Sequence, residues 1–462
     1  MDEFDVIVVG GGPAGENVPG RCTVQGLSVA LVEAELVGGE CSYWACIPSK
    51  TLLRPGEVVA AARRVPGARE AVTGSIDADA ALARRTEIVG DWHDDSQAKW
   101  VADQGAELVR GHGRLAGERT VEVDTDGGAR RLSARRAVVL ATGSKSAIPP
   151  VPGLREAGPW DSRAVTSAKR IPRRLVVLGG GVVGVEMGQA MRRLGAEEVT
   201  IVEGGPHLLG REEPFAGEEL RSAFESEGIS VVTGTRAARV ERDAPGGPVT
   251  VELEGGRRFT ADEILAATGR RPATDDVGLD TVGLEPGRYV AVDDQLRARG
   301  VDDHWLYAIG DCNGRALLTH MGKYQGRIAA DHIAGRDVAD RADDGIVPRV
   351  VFTDPQVAAV GLTEQQARKR GRNVRAVRIP LESIPAASTH GEGITGTAQL
   401  VVDEAAGVVI GATFTGPDMA DLIHSATVAI VGRVPLTDLW HAVASFPSRS
   451  EVWLHLLQEY GL

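Results

Sequence analysis

Short, nearly continuous apolar runs recur along the first two thirds of the chain, and several of them end in glycine or another small residue. Runs of this length are typical of parallel strands covered on both faces. They lie at 6–9, 29–32, 137–140, 175–178, 199–202, 263–267 and 305–309. From about residue 345 the pattern changes to strands near 350–352, 398–402 and 408–411, with helices near 364–370 and 418–431. The pattern predicts an α/β chain that ends in an antiparallel α+β unit.

The segments between these runs have their own signals. Residues 52–105 carry helical periodicity and predict a helical excursion. Residues 121–123 and 130–132 predict a hairpin around Asp126-Gly127-Gly128. The proline-rich passage at 149–153 predicts a linker.

The first apolar run leads directly into Gly10-Gly11-Gly12-Pro13-Ala14-Gly15, and the next one ends in Glu33, 23 residues after Gly10. Glycines of this spacing let the backbone approach a pyrophosphate at a helix N-terminus, and the acid at the strand end accepts ribose hydroxyls. Alone the glycines fit a chance turn, but together with the acid they indicate a dinucleotide site. Pro19 and Gly20 predict a kink or an early break in the helix that follows.

A second copy of this pattern begins at Gly179. The run 175–178 leads into Gly179-Gly180-Gly181-Val182-Val183-Gly184, and the following strand ends in Glu203, 24 residues after Gly179. Two such fingerprints in one chain make chance a poor explanation. They imply either two dinucleotides or two mononucleotide-type lobes. The fold class predicted is α/β, with two Rossmann-like dinucleotide-binding domains and a C-terminal α+β domain.

Cys41 and Cys46 lie in the stretch 38–50, five positions apart. On one continuous helix they would be about 7.5 Å apart along the axis, which exceeds the Cα separation that a disulfide spans. A bond between them therefore requires Cys41 to lie in an irregular segment, with a helix starting near Cys46 and Pro48 in its first turn. A helix N-terminus beside Lys50 favours a reactive thiolate. The alternative is a pair of unrelated buried thiols.

Composition excludes several classes of function. The formal net charge of −13 over 462 residues argues against general affinity for nucleic acid or anionic membranes. No apolar run approaches the length of a membrane span, and no signal peptide precedes the first strand, so we expect a cytoplasmic protein. Four cysteines and ten histidines show no metal-ligand spacing, and no metal site is predicted. Cys22 and Cys312 are expected to be buried thiols.

The order of these motifs resembles the pyridine nucleotide-disulfide oxidoreductases, the family of dihydrolipoamide dehydrogenase, glutathione reductase and mercuric reductase. The most specific element is Gly38-Gly39-x-Cys41-x4-Cys46-Ile47-Pro48-Ser49-Lys50. The resemblance implies an FAD domain in two parts (1–148 and 275–345), an NAD(P) domain (149–274) and a C-terminal dimerisation domain (346–462). It also implies a homodimer and a small-molecule electron acceptor.

The resemblance also implies roles for individual residues. Cys46 would face the flavin, Cys41 would exchange with the acceptor, and Lys50 would lie near flavin N5, paired with Glu186. Glu451 would complete the catalytic set. The plain alternative for Lys50 is a lysine on the helix surface. The FAD site would contain Gly10, Gly12, Pro13, Ala14, Gly15, Glu33, Gly39, Lys50, Gly113, Ala141, Thr142, Gly143, Gly310, Asp311 and Thr319. The nicotinamide site would contain Gly179, Gly181, Val182, Glu203 and Gly269.

The chain departs from the family pattern at three places. Phe446 stands where the disulfide reductases have their proton-shuttling histidine, which leaves Glu451 without that partner. Tyr43 and Trp44 replace smaller residues between the cysteines, either as packing residues or as groups that shape access to Cys41. The sequence lacks a C-terminal cysteine pair of the kind that mercuric reductase or the larger thioredoxin reductases would add, which argues against both assignments. Because general acid-base assistance is typically worth about 10² to 10⁴ in rate, we expect poor turnover of lipoamide-like disulfides.

These observations predict an FAD enzyme that passes electrons from NADH through a Cys41–Cys46 disulfide. The acceptor would be a disulfide, an oxidised sulfur species or a thiol-seeking metal ion. NADH is expected over NADPH because Glu203 would repel a 2′-phosphate, although Arg211 lies close in sequence. The alternatives are a quinone reductase or diaphorase that uses the flavin directly, and a flavin-bearing redox sensor.

Overall fold

A computed structural model of the chain describes residues 2–342 and 345–462. The chain divides into two compact units. The first consists of Met1–Pro48, Thr86–Ala147 and Arg270–Asp343, and the second of Ser49–Arg85, Ile148–Gly269 and Asp344–Leu462. The division does not separate the predicted NAD(P) domain from the predicted C-terminal domain. The four-part domain boundaries given above therefore stay a prediction.

The strands are numbered here in chain order. They are β1 (Asp2–Val9), β2 (Val29–Glu33), β3 (Glu107–Arg110), β4 (His112–Leu115), β5 (Thr120–Thr125), β6 (Gly128–Leu140), β7 (Ser144–Ser146), β8 (Arg174–Leu178), β9 (Glu198–Glu203), β10 (Ile229–Thr233), β11 (Ala237–Arg242), β12 (Val249–Leu253), β13 (Arg258–Ala261), β14 (Glu263–Ala266), β15 (Arg270–Pro272), β16 (Leu306–Ala308), β17 (Arg349–Val351), β18 (Gln356–Gly361), β19 (Val374–Pro380), β20 (Thr397–Asp403) and β21 (Val408–Gly416).

The α-helices are numbered in the same way. They are α1 (Pro19–Thr23), α2 (Gly39–Tyr43), α3 (Cys46–Arg63), α4 (Ala78–Ile88), α5 (Asp95–Asp103), α6 (Ser162–Thr166), α7 (Val182–Arg193), α8 (Pro214–Ser226), α9 (Thr319–Ile333), α10 (Glu364–Lys369), α11 (Pro385–His390), α12 (Met419–Val431), α13 (Leu436–Leu439) and α14 (Val452–Tyr460). The helical excursion predicted for 52–105 is confirmed by α3, α4 and α5.

The first unit is built on one mixed sheet with the order β3-β2-β1-β6-β5-β4, and β16 also pairs with β6. β1 lies parallel to β2 and β6, as its uninterrupted apolar run predicts. β5 and β6 form the predicted hairpin, but β6 does not end there. It runs on to Leu140, so two strands predicted separately are one strand of 13 residues. The hydrophobic core of the first unit contains buried side chains of these strands, including Val6, Val8, Leu31 and Val139.

The second unit contains a parallel sheet with the order β10-β9-β8-β14 and a five-stranded antiparallel sheet with the order β17-β18-β21-β20-β19. A small antiparallel sheet, β11-β12-β13, accompanies the first of them. The parallel sheet contains the strands on both sides of the second glycine fingerprint, β8 before it and β9 after it. The antiparallel sheet with α12 is the predicted C-terminal α+β unit. The predicted α/β fold class is confirmed.

The two glycine fingerprints differ in the helices that they start. After the first, a single 3₁₀ turn (Gly15–Asn17) is followed by α1, which has Pro19 at its start and spans five residues. After the second, α7 continues for 12 residues. The proline lacks an N–H and cannot continue a helix from the preceding turn, so the early break predicted at Pro19 is confirmed.

Candidate active site

The first fingerprint is held by contacts that leave no space for larger side chains. Gly10 has φ +105°, and a β-carbon there would overlap the Ala141 carbonyl oxygen. A β-carbon on Gly15 would overlap the carbonyl oxygen of Gly10 itself. These glycines therefore permit the tight turn from β1 that exposes backbone N–H groups to an anion.

Glu33, at the end of β2, closes this turn. Its carboxylate accepts hydrogen bonds from the backbone N–H groups of Gly11 at 2.6 Å and Glu35 at 2.7 Å. Burial raises the pKa of Glu33, against the lowering effect of those two hydrogen bonds. The acid thus lies beside the glycine turn, where its sequence position predicted it.

The second fingerprint repeats this arrangement in the other unit. A β-carbon on Gly179 would overlap the Ala267 carbonyl oxygen, as one on Gly10 would overlap that of Ala141. Glu203 accepts hydrogen bonds from the N–H groups of Gly180 and Gly205, both at 2.6 Å. The same geometry at both places supports two nucleotide sites of one type.

Several predicted cofactor residues border open space. Among the described residues, and apart from the two adjacent in the chain, none has a heavy atom within 4 Å of a β-carbon built on Gly143, Gly181 or Gly269. Thr142 Oγ1 is buried and accepts or donates no hydrogen bond within the described part of the chain. Open glycines and an unsatisfied buried hydroxyl fit a nucleotide at these positions. The residues present therefore fit FAD at the first fingerprint.

The remaining predicted cofactor residues of the first unit have mainly packing contacts. A β-carbon on Gly310 would lie 2.9 Å from that of Ala14, and one on Gly39 would lie 2.8 Å from the α-carbon of Gly12. Gly113 lies in β4, with the Val32 side chain 2.9 Å from its β-carbon position. Pro13 accepts a hydrogen bond on its carbonyl from the Asn17 side chain at 2.8 Å. Their contacts to a cofactor stay predictions.

The two cysteines belong to separate helices. Cys41 lies in α2, whereas Cys46 is the first residue of α3, with Pro48 in its first turn. Trp44 breaks the helical path with φ −137° and ψ 0°. The start of the second helix at Cys46 is confirmed, but the irregular segment expected around Cys41 is wrong, because Gly38 and Gly39 in left-handed conformations allow one short helical turn there.

No disulfide joins Cys41 and Cys46 in this structure. Cys46 Sγ lies 3.2 Å from Thr319 Oγ1, at the start of α9. The hydrogen bond with Cys46 and burial raise the pKa of Cys41, while Thr319 and Lys323 lower it. The thiol pair is thus joined to the start of α9, a residue of which (Thr319) was predicted for the flavin site.

A chain of polar contacts leads from the cysteine helix to Asp311. Arg270 binds the Glu40 carboxylate, which precedes Cys41, and donates from Nε to Ser144 Oγ at 2.7 Å. Ser144 Oγ in turn donates to Asp311 at 2.5 Å. Burial raises the pKa of Asp311, and Ser144 and Arg270 lower it. Sequence reasoning missed Glu40, Ser144 and Arg270, although the charge at position 40 beside a reactive cysteine was a usable signal.

In the second unit, Lys50 and Glu186 form the predicted pair. Lys50 Nζ lies 2.7 Å from Glu186 Oε2, and Glu186 is almost fully buried. The other carboxylate oxygen accepts the backbone N–H of Phe352 at 2.9 Å, and the Phe352 ring lies 4.9 Å from Nζ. Lys50 is therefore held by a buried acid and an aromatic face, rather than being an ordinary surface lysine.

The C-terminal segment has no imidazole at position 446. Phe446 is 73% exposed. Glu451 is buried and forms a capping box with Ser448, whose backbone N–H it accepts at 3.3 Å. This helix-capping contact gives Glu451 a structural role, and its predicted catalytic role stays a prediction.

One arginine near the second fingerprint was also missed. A β-carbon on Gly204 would lie 2.8 Å from Nε of Arg236, which is exposed on the loop after β10. Val182, at the start of α7, is 45% exposed. No cluster of metal-ligating side chains occurs within residues 2–342 and 345–462. In the same ranges, no helix has the length and apolar character needed to cross a bilayer.

Comparisons with known proteins agree with this site. Residues 4–330 match the model of the pyridine nucleotide-disulphide oxidoreductase family, and residues 347–457 match the dimerisation domain of that family. The chain is 35% identical over 465 residues to a dihydrolipoyl dehydrogenase of Thermus scotoductus, covering 98% of this chain and 96% of the relative. It is 32% identical over 453 residues to a mercuric reductase of Bacillus cereus, covering 97% of this chain and 70% of the relative.

Solved structures show the same fold. LpdA of Mycobacterium tuberculosis superposes with a TM-score of 0.86 at 26% identity, with full coverage of both chains. A Cu(II) complex of the HOCl-induced flavoprotein disulfide reductase RclA of Escherichia coli superposes with a TM-score of 0.86 at 24% identity, covering 99% of each chain. With both fingerprints, the cysteine pair and the dimerisation domain in place, the chain belongs to the pyridine nucleotide-disulphide oxidoreductases, enzymes that bind FAD and use a pyridine nucleotide.

Proposed function

We propose that this enzyme passes electrons from NADH through FAD to the Cys41–Cys46 pair, and from the pair to a small thiol-reactive acceptor. The observation that carries the proposal is the contact of Cys46 Sγ with Thr319 Oγ1, in the unit that also contains the first glycine fingerprint. When bound, FAD supplies a two-electron carrier between the nicotinamide and the disulfide. Gly10, Gly12 and Gly15 would hold its pyrophosphate, and Glu33 its ribose.

The side chains of the site would have separate roles in this electron transfer. Cys46 would face the bound flavin, and its 3.2 Å contact with Thr319 would hold the sulfur in position. Cys41 meets the acceptor. Lys50 would supply the positive charge that the family resemblance assigns to it, and the 2.7 Å ion pair with Glu186 holds its ammonium. An ammonium that is partly removed from water needs such a counter-charge to stay in place.

The acceptor is one that takes electrons from thiols without help from an imidazole. The position of the family histidine is occupied by Phe446, which has no proton to transfer. An oxidised sulfur species, a reactive low-molecular-weight disulfide or a thiol-seeking metal ion meets this condition. Proteins named mercuric reductase and dihydrolipoyl dehydrogenase match the chain at similar identity, so all three classes of acceptor stay within the proposal.

An anaerobic titration of the purified holoenzyme with NADH tests the electron path. After about two electrons we expect a long-wavelength absorption band of the kind that a thiolate gives beside oxidised flavin. Cys41→Ser should abolish turnover of mercuric ion and of low-molecular-weight disulfides. Full retention of acceptor turnover in this variant would contradict the thiol route and favour direct use of the flavin, as in a diaphorase or quinone reductase. The redox-sensor alternative would be favoured if the protein forms the band but neither mercuric ion nor any of the disulfides supports steady-state oxidation of NADH.

We also infer a preference for NADH. The Glu203 carboxylate lies at the end of β9, on the N–H groups of Gly180 and Gly205, where a 2′-phosphate would meet negative charge. Arg236 beside Gly204 works in the opposite direction. The ratio of kcat/KM for NADH to that for NADPH should exceed 10 in the wild type, and Glu203→Ala should reduce this ratio. Equal use of both nucleotides by the wild type would contradict the preference.

The dimerisation domain supports a homodimer. Val428 and Val431 of α12 are 55% and 60% exposed, and they provide apolar surface that a second copy would cover. Light scattering should give twice the chain mass of 48.6 kDa. A dithiol that cycles in this way also suits the reducing conditions of the cytoplasm.

A further inference from the structure

The peptide between Tyr43 and Trp44 lies at the break between α2 and α3, and its orientation affects how far apart the two cysteines are held. Cys41 lies in α2, and Cys46 starts α3. A disulfide spans Cα separations of about 4.4–6.8 Å, so the conformation of the few residues between the cysteines decides whether the pair can close. Groups that fix this peptide therefore act on the redox pair.

Both polar groups of this peptide have partners in the first unit. The Trp44 N–H donates to the Glu40 carbonyl at 2.8 Å. The Tyr43 carbonyl accepts the indole N–H of Trp92 at 3.2 Å. The last carbonyl groups of a helix have no partner within that helix. The indole therefore satisfies a carbonyl at the end of α2, from a position 49 residues farther along the chain.

Trp92 belongs to a segment, residues 90–94, that also binds the other end of α2. The Asp94 carboxylate accepts the backbone N–H of Val37 at 2.6 Å, one residue before the N-cap of α2. Arg110 Nη2 lies 2.7 Å from the same carboxylate, and Asp94 is buried. The 90–94 segment thus contacts the chain at both ends of α2.

The backbone of the 90–94 segment is left-handed where it presents the indole. Gly90, Asp91 and Trp92 have φ values of +60°, +50° and +57°. This conformation is unfavourable for a bulky residue such as tryptophan, and it persists where surrounding contacts compensate for it. The contacts here are the indole–carbonyl hydrogen bond and, beside it, the Tyr43 hydroxyl on the His93 carbonyl at 3.5 Å. The backbone at Trp92 is thus explained by where it places the indole N–H.

We propose that Trp92 is a positioning residue for the redox pair, and that it holds the Tyr43–Trp44 peptide so that Cys41 and Cys46 stay at a separation from which they close into a disulfide. The inference rests on the proposed cycling of this pair. When the pair closes, two S–H bonds break and one S–S bond forms, and two electrons and two protons pass to the acceptor. Holding two thiols in place raises their effective concentration for each other, so the contact favours the disulfide over the dithiol.

The test measures the dithiol–disulfide equilibrium of the pair and needs no physiological acceptor. The holoenzyme is equilibrated anaerobically in mixtures of reduced and oxidised dithiothreitol, quenched with acid and alkylated with N-ethylmaleimide in denaturant. Mass spectrometry then counts the labelled thiols in the peptide that contains Cys41 and Cys46. We expect Trp92→Phe, which lacks the N–H, to shift the equilibrium about 3- to 10-fold toward the dithiol, as the loss of one hydrogen bond would. A 10-fold shift corresponds to about 30 mV for this two-electron couple.

Three further variants separate the hydrogen bond from packing. Trp92→His keeps a ring N–H at the corresponding place in its five-membered ring, so it should stay within about 2-fold of the wild type. Tyr43→Phe should also stay within about 2-fold, because Trp92 binds the backbone carbonyl and the hydroxyl contact at 3.5 Å is long. The matched control is Trp100→Phe on α5 of the same unit, where the side chain is 42% exposed, and it should leave the equilibrium unchanged.

The outcomes distinguish this inference from the proposed function. An equilibrium that Trp92→Phe leaves unchanged, or equal shifts in Trp92→Phe and Trp100→Phe, would overturn the role of Trp92 while leaving the electron path intact. A shift in Trp92→His as large as that in Trp92→Phe would also overturn it, because the effect would then belong to the packing of the indole ring. A wild-type protein in which Cys41 and Cys46 form no disulfide in any of the buffers would contradict the electron path itself, and with it this inference.

Discussion

Lys50 Nζ lies 2.7 Å from a carboxylate oxygen of Glu186, which is 3% exposed at its side chain. Lys50→Met would leave this buried carboxylate without its ammonium partner. Breaking a fully buried pair costs about 3–5 kcal/mol. Because Lys50 is about one third exposed, we expect a smaller loss, of about 1–3 kcal/mol in the free energy of unfolding. Urea denaturation of the holoenzyme measures it.

The control for this substitution lies on the same helix. Arg54 pairs with Glu57 at 2.8 Å, but the two side chains are 67% and 38% exposed. Arg54→Met should therefore change the free energy of unfolding by less than about 0.5 kcal/mol. If both variants lose the same stability, the Lys50–Glu186 pair is not the buried ion pair described above. In stopped-flow experiments, Lys50→Met should also slow flavin reduction by NADH, whereas Arg54→Met should not.

The four cysteines should differ sharply in reactivity. Burial raises the pKa of Cys22 and of Cys312 to about 12, and neither side chain is exposed. Cys41 and Cys46 are partly exposed. In the reduced native protein, iodoacetamide at pH 8 should label Cys41 and Cys46 but not Cys22 or Cys312, as mass spectrometry can determine. Label on Cys22 at a comparable rate would contradict its burial.

Arg270 should contribute to FAD retention through Asp311. Arg270→Met removes the donor that holds Ser144 Oγ, and Ser144 in turn orients the Asp311 carboxylate. A hydrogen bond to a charged group is worth about 1.5–3 kcal/mol, so we expect FAD to bind roughly 10-fold more weakly or worse. Flavin release in ultrafiltration measures the change.

The neighbouring arginine provides the matched control for that experiment. Arg271 is 50% exposed at its side chain and pairs with Asp275, which is also near the surface. Arg271→Met should leave the FAD dissociation constant within about 2-fold, because an exposed pair contributes little. Equal weakening in both variants would indicate a general disturbance of β15 rather than a specific effect of Arg270.

Asp354 should make the second unit sensitive to acid. Its carboxylate lies 2.5 Å from Arg64 Nη2 and 2.9 Å from Arg193 Nη2. Burial opposes its ionisation, but the two arginines outweigh burial and hold the pKa of Asp354 below the ordinary value of 3.8. Because this pKa is lower in the folded protein, the stabilisation is complete above about pH 4 and is lost as the pH falls through the folded value.

Asp354→Asn tests this pH dependence. At pH 7 the variant should be about 2–4 kcal/mol less stable, since Arg64 and Arg193 lose a shared carboxylate in a largely buried place. The difference from the wild type should narrow as the pH falls below about 4 and the wild-type carboxylate becomes protonated. Thermal denaturation across this range measures both curves, and a difference that stays constant with pH would contradict the role of the charge.

Local patterns predicted much of the nucleotide-binding framework. The glycine turns at Gly10 and Gly179, and the acids at Glu33 and Glu203, depend on residues within about 25 positions of one another, so a short stretch of sequence contains the whole geometry. The break before α1 was predictable for the same reason, since a proline imposes it locally. The helical turn at Cys41 was not, because it depends on two glycines with positive φ that also suit a loop.

The polar contacts of the site were less predictable. Glu40 meets Arg270 across 230 positions of the sequence, and no periodicity links the two residues. Glu16 and Lys323 are likewise brought together by the packing of α9 on the first fingerprint. The Lys50–Glu186 pair was predicted only because a family resemblance supplied the partner. Contacts of this kind depend on topology, which hydrophobic patterning does not specify in detail.

The break between α2 and α3 at Trp44 affects how the two cysteines could move in the proposed redox cycle. Cys41 and Cys46 belong to two helices, so the sulfur atoms can approach or separate by rotation about the backbone of the residues between them. Each helix keeps its own internal hydrogen bonds during this movement. If the pair cycles as proposed, forming and breaking the bond between the two sulfur atoms would not require α3 to unwind.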